Sequence, residues 1–160
     1  MTGITRRYRF SASHRLHTGV LSALENERLY GKCNNPFGHG HDYVLEVTAK
    51  GPVCGETGLV VPVGQLDRLV EETIIERLAN RNLNLDVPEF GVLVPTTENI
   101  ALTIARLLEQ HWAAYLGRSS ARLARVHVQE TDRNSFEVLL PARAQVSAAD
   151  PKIERLPVHV

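Results

Sequence analysis

Four segments of alternating apolar and polar residues flank a central helical region, and they constrain the fold more than any other feature of the chain. The first two span about Ile4 to Ser13 and His41 to Ala49. The last two span Leu123 to Gln129 and Phe136 to Leu140. A period of two is typical of strands that bury one face. We therefore expect a four-stranded, mostly antiparallel sheet.

Two helices are predicted between the strand pairs. Apolar residues follow helical spacing from Leu66 to Leu78 and from Ile100 to Leu108. Thr97 is the expected N-cap of the second helix, and Gly117 is its expected left-handed C-terminal residue. Residues 17–38 and 80–95 are interpreted as a long loop and a connection. The order β-β-α-α-β-β predicts an α+β fold with both helices on one face of the sheet.

The length of 160 residues fits one domain. We expect this domain to span residues 1–140 and the remainder, 141–160, to be a C-terminal extension, since the tail lacks clear periodicity. A four-stranded sheet with helices on one face leaves its other face and two edges free. Free edges favour association, so a symmetric homo-oligomer that continues the sheet between subunits is expected.

Charge and composition exclude several classes of protein. Lys plus Arg and Asp plus Glu are 18 each, so the net charge of +0 argues against a nucleic-acid binder. No stretch approaches the roughly 18 apolar residues of a membrane span. The two cysteines are too few for a secreted disulfide scaffold. A cytoplasmic protein that acts on a small molecule, without nucleic-acid or membrane partners, fits these features.

Three histidines form a candidate metal site. His39 and His41 flank one glycine at the start of a strand, where residues two apart point to the same face. His14 comes directly after Ser13, at the end of the first predicted strand, and is a third candidate ligand. Three neutral imidazoles with an open fourth position suit a catalytic Zn²⁺. Spacing alone also allows an alternative without a metal. In that alternative, the His-x-His pattern occurs by chance and His14 is a strand residue with its own hydrogen bond.

Cys33 is a candidate base or nucleophile. It lies beside Lys32 and six residues before His39. A thiol close to a cation and a metal ionises more easily, so Cys33 could act as a thiolate. The alternative is an ordinary free cysteine. Cys54, in a Gly-rich turn, is assigned no role.

Several longer motifs occur in one order along the chain and point to a family. They are Phe10–Leu16 (FSASHRL), Tyr30–Tyr43 (YGKCNNPFGHGHDY), Asn82–Pro88, Pro95–Asn99 and Gln129–Asp132. Together they cover about residues 8 to 140 and resemble the 6-pyruvoyl-tetrahydropterin synthase family. That family is related to the 6-carboxy-tetrahydropterin synthases of queuosine biosynthesis.

The resemblance implies a role for each matching residue. His14, His39 and His41 correspond to zinc ligands. Cys33 corresponds to the thiolate that takes a proton from the substrate side chain. Glu130 corresponds to the acid that anchors the amide-like edge of the pterin ring. Thr96, Thr97 and Glu98 lie in the segment that lines the pocket. Without the resemblance, Glu98 is interpreted as a first-turn helix acid and Glu130 as a surface charge at a strand end.

The resemblance also implies a fold, an assembly and a reaction. The fold is the T-fold, or tunnelling fold, in which trimers close their sheets into a barrel and two trimers stack into a hexamer with sites at subunit interfaces. Family substrates are dihydropterins with a polyhydroxylated triphosphate side chain. Zinc bound to side-chain oxygens acidifies neighbouring groups, a base moves protons, and triphosphate is eliminated.

Two positions depart from the family pattern. The family usually has an Asp-His pair just before a Lys/Arg-Asn-Leu stretch, where it forms a proton relay with the thiolate. This chain has Ala79-Asn80 there, and neither side chain titrates near neutral pH. Loss of a positioned general acid or base typically costs about 10²- to 10⁴-fold in rate. Pro62 is the second departure, because relatives often carry Asp or Asn at its position.

The chain keeps the candidate metal ligands and Cys33 but lacks the Asp-His pair, and three functional hypotheses follow. In the first, the protein acts on a pterin and another group replaces the missing pair. His17 and Asp42 are the candidates, although Asp42 is expected to face away from His41. In the second, zinc and Cys33 serve a different carbonyl reaction, such as a Pictet–Spengler-type condensation of an aldehyde with an amine. In the third, the protein is a pterin-binding oligomer without turnover.

Overall fold

A single antiparallel sheet with helices packed against it organises the chain. The structure is a computed structural model that describes residues 2–141. The predicted extension lies outside the described residues from position 142 onward. The strands are Thr2–His14 (β1), His39–Gly51 (β2), Arg122–Thr131 (β3) and Asn134–Leu139 (β4). The α-helices are Ala23–Tyr30 (α1), Val63–Val70 (α2), Glu76–Leu78 (α3), Leu83–Asp86 (α4) and Thr97–Leu116 (α5).

The four strands are neighbours in sequence order, and every pairing is antiparallel. The sheet predicted from the alternation is thus confirmed, although each strand differs by up to a few residues from its expected bounds. The β1–β2 pairing is uninterrupted from Thr2 opposite Gly51 to His14 opposite His39. This long regular ladder brings the end of β1 and the start of β2 together at one end of the sheet.

The hydrophobic core lies between one sheet face and the helices. Alternate residues of β2, from Tyr43 to Ala49, are fully buried on this face. The predicted first helix is continuous in space but consists of α2, a π-helical turn at Glu71–Ile75 and α3. Its side chains Leu66, Leu69 and Ile74 and those of α5 at Ile100, Ile104 and Leu108 are fully buried in the same cluster.

Two predicted irregular segments contain helical structure. Residues 17–38 include α1, whose N-cap Ser22 accepts a hydrogen bond from the Glu25 N–H in a capping box, and a 3₁₀ turn at Gly31–Asn34. The connection at 80–95 includes α4 and a 3₁₀ turn at Pro88–Gly91. The loop interpretation was wrong at these places because short helices held by tertiary contacts have little apolar periodicity.

The ends of α5 also correct the sequence prediction. Its N-cap is Thr96, whose hydroxyl accepts from the Asn99 N–H at 3.3 Å, and Thr97 is the first helical residue. The helix ends before Gly117 as predicted, but this glycine has φ −62° and is not left-handed. None of the helices in residues 2–141 is long and apolar enough to cross a bilayer.

Candidate metal centre and substrate pocket

Three imidazoles converge where β1 ends and β2 begins. His14 lies opposite His39 in the ladder, and His41 follows two residues later on the same strand face. One nitrogen of each ring lies within 4.8 Å of the others. The Nε2 atoms of His14 and His39 are 3.1 Å apart. The strand alternation therefore produces the cluster that the sequence predicted.

The free nitrogens of this cluster fit a metal ion. Nδ1 of His14 lies 2.7 Å from the Pro95 carbonyl oxygen, so it carries the proton and donates. Its Nε2 lone pair is then free to bind a cation, and such a second hydrogen bond commonly orients a ligating histidine. Nδ1 of His39 and Nε2 of His41 are buried without a hydrogen-bond partner among the described residues. This donor set suits Zn²⁺, which prefers nitrogen ligands.

Burial favours the neutral form of His14 and His39. Burial is the largest cause that lowers the pKa of both His14 and His39, and the neighbouring imidazoles lower it further. The Pro95 carbonyl and the Glu130 carboxylate act in the opposite direction on His14 without cancelling the shift. Neutral imidazole is the ligating form of histidine.

Glu130 lies beside the cluster at an irregularity of the sheet. The β3–β4 register shifts between Gln129 and Thr131, so one extra residue of β3 sits in the ladder. Such a bulge re-aims a side chain. Oε1 of Glu130 lies 3.6 Å from Nε2 of His14 and 4.0 Å from Nε2 of His41. The Glu130 side chain is only 11% exposed, so it is not the surface charge that the sequence alone would favour.

Both carboxylate oxygens of Glu130 accept a hydrogen bond. The Tyr43 hydroxyl donates to Oε1 at 3.5 Å and lies 3.4 Å from Nδ1 of His14. Nδ2 of Asn134 donates to Oε2 at 2.7 Å and to Oγ1 of Thr97 at 2.9 Å. Burial, and then Glu130, raise the pKa of Tyr43, which stays a neutral donor. The carboxylate is thus held from two sides.

Cys33 lies near Glu130 in the 3₁₀ turn after α1. Its carbonyl oxygen accepts from the Leu16 N–H at 2.8 Å, which ties the turn to the end of β1. Burial, and then the Glu130 charge, raise the pKa of the Cys33 thiol. Lys32 is exposed. These protein groups therefore act against the easy ionisation expected from the neighbouring lysine.

The segment from Thr96 to Glu98 begins α5 at the edge of the site. Thr97 is buried and reaches Glu130 through Asn134. Thr96 caps the helix. Glu98 is exposed and makes no hydrogen bond or ion pair among the described residues. The position of Glu98 in the first turn fits an acid that stabilises the helix dipole.

The Ala79-Asn80 segment lies against the outer edge of β1. Ala79 is half-buried and packs on the core. Asn80 is exposed, with a left-handed φ of 59° that asparagine tolerates, and its N–H donates to the Ser11 carbonyl oxygen at 2.7 Å. With Ser11, Ser13, Asp42 and Arg81, Asn80 lines a cleft of about 360 Å³. Pro62 precedes α2 and provides no side-chain cap.

Neither proposed substitute for the missing pair belongs to the histidine cluster. Asp42 accepts a hydrogen bond from the Ser11 hydroxyl at 2.5 Å, and as a neighbour of His41 on a regular strand it points to the opposite face. Nδ1 of His17 lies 2.9 Å from Oδ1 of Asn34. Both side chains therefore make polar contacts with nearby residues and not with the histidine cluster.

Three residues of the site were missed by the sequence reasoning. Tyr43 shares a strand face with His39 and His41, so the alternation of β2 could have identified it. Asn134 follows a two-residue turn, and its contact with Thr97 joins positions 37 apart in sequence. The Pro95 carbonyl belongs to the backbone, so the residue types in the sequence do not indicate its hydrogen bond with His14.

Comparisons with known proteins agree with this geometry. The family described as 6-pyruvoyl tetrahydropterin synthase matches residues 3–140. The 6-pyruvoyl tetrahydrobiopterin synthase of Poecilia reticulata is 46% identical over 131 residues, which are 82% of this chain and 85% of that protein. The human enzyme of that name is 44% identical over 131 residues, covering 82% and 86% of the two chains.

A solved structure shares the fold. The 6-pyruvoyl tetrahydropterin synthase of Caenorhabditis elegans superposes with a TM-score of 0.79 at 34% identity, over 88% of this chain and 96% of that chain. The expected T-fold is therefore confirmed for the single chain. The family match extends over nearly all of the described residues, and it includes every residue of the histidine cluster and its surroundings. The chain belongs to the 6-pyruvoyl tetrahydropterin synthase family.

Proposed function

We propose that this protein is a zinc-dependent carbon–oxygen lyase that acts on a dihydropterin with a triphosphate side chain, similar to dihydroneopterin triphosphate. The observation that carries the proposal is the histidine cluster with Glu130 beside it. A candidate metal site and a buried carboxylate, with Oε1 of Glu130 3.6 Å from Nε2 of His14, can contact neighbouring parts of one substrate. The names of the family's curated members agree with a pterin substrate.

In this proposal, His14, His39 and His41 hold the zinc ion. When bound, zinc acidifies the hydroxyl and C–H groups of a side chain whose oxygens it binds. Glu130 accepts hydrogen bonds from the N–H groups on the amide-like edge of the pterin. Thr96, Thr97 and Glu98 belong to the same wall, with Thr97 linked to Glu130 through Asn134.

Cys33 is the proposed base. A thiolate there would take a proton from a side-chain carbon that bears a hydroxyl group, and the electron pair left behind would expel triphosphate from the neighbouring carbon. Burial and the Glu130 charge raise the pKa of the Cys33 thiol, so a positive charge close to the sulfur would favour the thiolate. A divalent cation at the histidine cluster would supply such charge.

The Ala79-Asn80 segment favours a second candidate function. Neither side chain can relay a proton, which removes a group that the full elimination uses in related enzymes. A reaction with fewer proton transfers, such as an aldehyde–amine condensation of the Pictet–Spengler type, would tolerate this change. A pterin-binding oligomer without turnover would tolerate it as well.

Triphosphate release separates these candidates. The zinc-loaded protein is mixed with dihydroneopterin triphosphate, and the released triphosphate and carbonyl product are measured with time. We expect multiple turnovers per chain. Tight binding without release would contradict the lyase proposal and favour the non-catalytic binder. Neither binding nor release would favour a different substrate.

We further propose that the protein is a homo-oligomer, a trimer or a hexamer. In residues 2–141 the outer edge of β1 is paired only near Ser11 and Ser13, and the short strand β4 forms the other edge. Pairing between these edges of neighbouring chains would satisfy their backbone groups and close a barrel. The cytoplasmic location expected from the sequence stays a prediction.

A further inference from the structure

We propose that Asn134 is a positioning residue that fixes the orientation of the Glu130 carboxylate and thereby sets the affinity for the substrate's heterocycle. This inference rests on the proposed function, because it concerns the residue that binds the pterin ring. It assigns to the β3–β4 turn a role in substrate recognition.

The side-chain amide of Asn134 lies between Glu130 and Thr97. Nδ2 of Asn134 lies 2.7 Å from Oε2 of Glu130 and 2.9 Å from Oγ1 of Thr97. An ionised carboxylate only accepts hydrogen bonds, so the amide must present its N–H₂ group to it. One N–H₂ group therefore bridges the carboxylate and the first residue of α5.

Glu130 occupies an irregular position in the sheet. It lies at the bulge of β3, between the pairs Gln129–Ser135 and Thr131–Asn134. A bulged residue lacks the regular cross-strand neighbour that would otherwise hold its side chain. Asn134 stands across the turn from this bulge and supplies the missing contact, with buried Thr97 as its support on the helix.

The other hydrogen bond to the Glu130 carboxylate, from Tyr43, is weaker. The Tyr43 hydroxyl reaches Oε1 only at 3.5 Å, against 2.7 Å for the amide at Oε2. A hydrogen bond to a charged acceptor at the shorter distance is the stronger one. The amide contact is therefore the main restraint on rotation of the carboxylate.

Orientation of the carboxylate determines which ligand edge it binds. A planar carboxylate accepts two parallel N–H donors well only when its plane matches the plane of the donors. Without the amide, Glu130 rotates among several orientations, and binding must select one of them. The expected result is weaker binding of a flat heterocycle with two adjacent N–H donors, with little change in the chemical step.

The test compares Asn134→Asp with Arg133→Ala. The first substitution keeps the size and the turn preference of the asparagine side chain, but it replaces the N–H₂ donor by an acceptor and adds a negative charge next to Glu130. Arg133 lies in the same turn, and its side chain makes no hydrogen bond or ion pair among the described residues, so its variant is the matched control. The measurements are KM and kcat with dihydroneopterin triphosphate, and equilibrium binding of neopterin by fluorescence.

We expect Asn134→Asp to raise KM and the neopterin Kd by about 10- to 100-fold, with kcat within about threefold of the parent. Arg133→Ala is expected to match the parent. Unchanged KM and Kd for Asn134→Asp would overturn the inference, and so would an equal loss in the Arg133 variant. A fall in kcat alone would also overturn it.

Two further variants keep the test decisive. If Asn134→Asp fails to fold, Thr97→Val removes the hydroxyl that supports the amide, and Thr97→Ser retains it. Weaker binding in Thr97→Val with recovery in Thr97→Ser supports the inference, whereas equal binding in both overturns it. Glu130→Gln serves as the reference. Unchanged neopterin binding in Glu130→Gln would contradict the proposed function itself, whereas a loss there with no effect at Asn134 would contradict only this inference.

Discussion

Nδ1 of His14 donates a hydrogen bond to the Pro95 carbonyl oxygen across 2.7 Å. His14 ends β1, and Pro95 lies just before α5, so one contact links the strand that carries a candidate ligand to the helix that borders the pocket. The bond selects the tautomer whose Nε2 faces His39 at 3.1 Å. The candidate metal site and the proposed substrate wall are thus joined by a contact within the protein itself.

Gly38 controls how closely the loop before β2 approaches His14. It has φ +70°, and an added Cβ would lie 2.8 Å from the His14 carbonyl oxygen. We expect Gly38→Ala to lower the free energy of unfolding by about 1–3 kcal/mol. Because His39 is the next residue, the substitution should also weaken zinc binding. Urea denaturation and zinc titration measure both effects.

Gly40 provides the matched control within the same motif. A Cβ there would lie 3.6 Å from the Ala12 carbonyl oxygen, an ordinary contact. Gly40→Ala should therefore bind zinc like the parent. Equal zinc affinity in the two alanine variants would show that the close approach at Gly38 does not position the ligands.

Replacement of Cys33 separates chemistry from binding. Cys33→Ala should lower kcat by about 10²- to 10⁴-fold, since it removes the proposed base. Zinc content and neopterin affinity should stay close to those of the parent. Cys54→Ala is the control, because Cys54 is an exposed free cysteine assigned no role. Full activity of the Cys33 variant would exclude the thiolate mechanism.

Much of this arrangement could be predicted from sequence because its parts repeat with a regular period. The alternation of β1 and β2 predicted that His39 and His41 share a face, and the long ladder places His14 opposite His39. Asn134 and the Pro95 carbonyl could not be predicted in this way. Their contacts depend on a bulge and on backbone atoms, and neither has a periodic pattern.

Local helices were missed for a related reason. Helix α1 has one buried residue, Asn26, whose amide bonds the backbone of Thr18, Leu21 and Ser22. A helix held by one buried amide has no apolar stripe for sequence analysis to detect. The position of Glu130 was likewise supplied by the family resemblance, since a strand-end acid alone indicates surface charge.

Asp67 makes the stability of the fold depend on pH. It accepts hydrogen bonds from Arg6 at 2.8 and 3.0 Å and from the Tyr8 hydroxyl at 2.8 Å. The bonds from Arg6 are the main cause that lowers the pKa of Asp67. A carboxyl with a lowered folded-state pKa stabilises the protein above its unfolded-state pKa of about 3.9, and the contribution disappears as pH falls through the folded value.

Asp67→Asn should therefore lower the urea midpoint at pH 7 and have a smaller effect at pH 2. Because this carboxyl is partly exposed, the expected difference is modest. Asp132→Asn, in the turn between β3 and β4, is the control and should change neither midpoint. If Asp67→Asn lowered the urea midpoint equally at both pH values, the ionised carboxylate would not be the cause of the loss.

The mass of the assembly tests the proposed barrel. Light scattering or native mass spectrometry should give three or six times the chain mass of 17.8 kDa. Pairing of free sheet edges predicts that this mass persists on dilution to low micromolar concentration. A monomer at that concentration would mean that the edges of β1 and β4 are protected without a second copy.

Metal content tests the central claim most directly, because every role assigned to the pocket depends on a cation held by three imidazoles. Elemental analysis should find about one zinc per chain in the parent protein. His39→Ala should lose most of it. His111→Ala should retain it, because His111 is an exposed residue of α5 whose ring bonds the Leu107 carbonyl oxygen. No stoichiometric transition metal in the parent, or equal zinc in the His39 and His111 variants, would contradict the account.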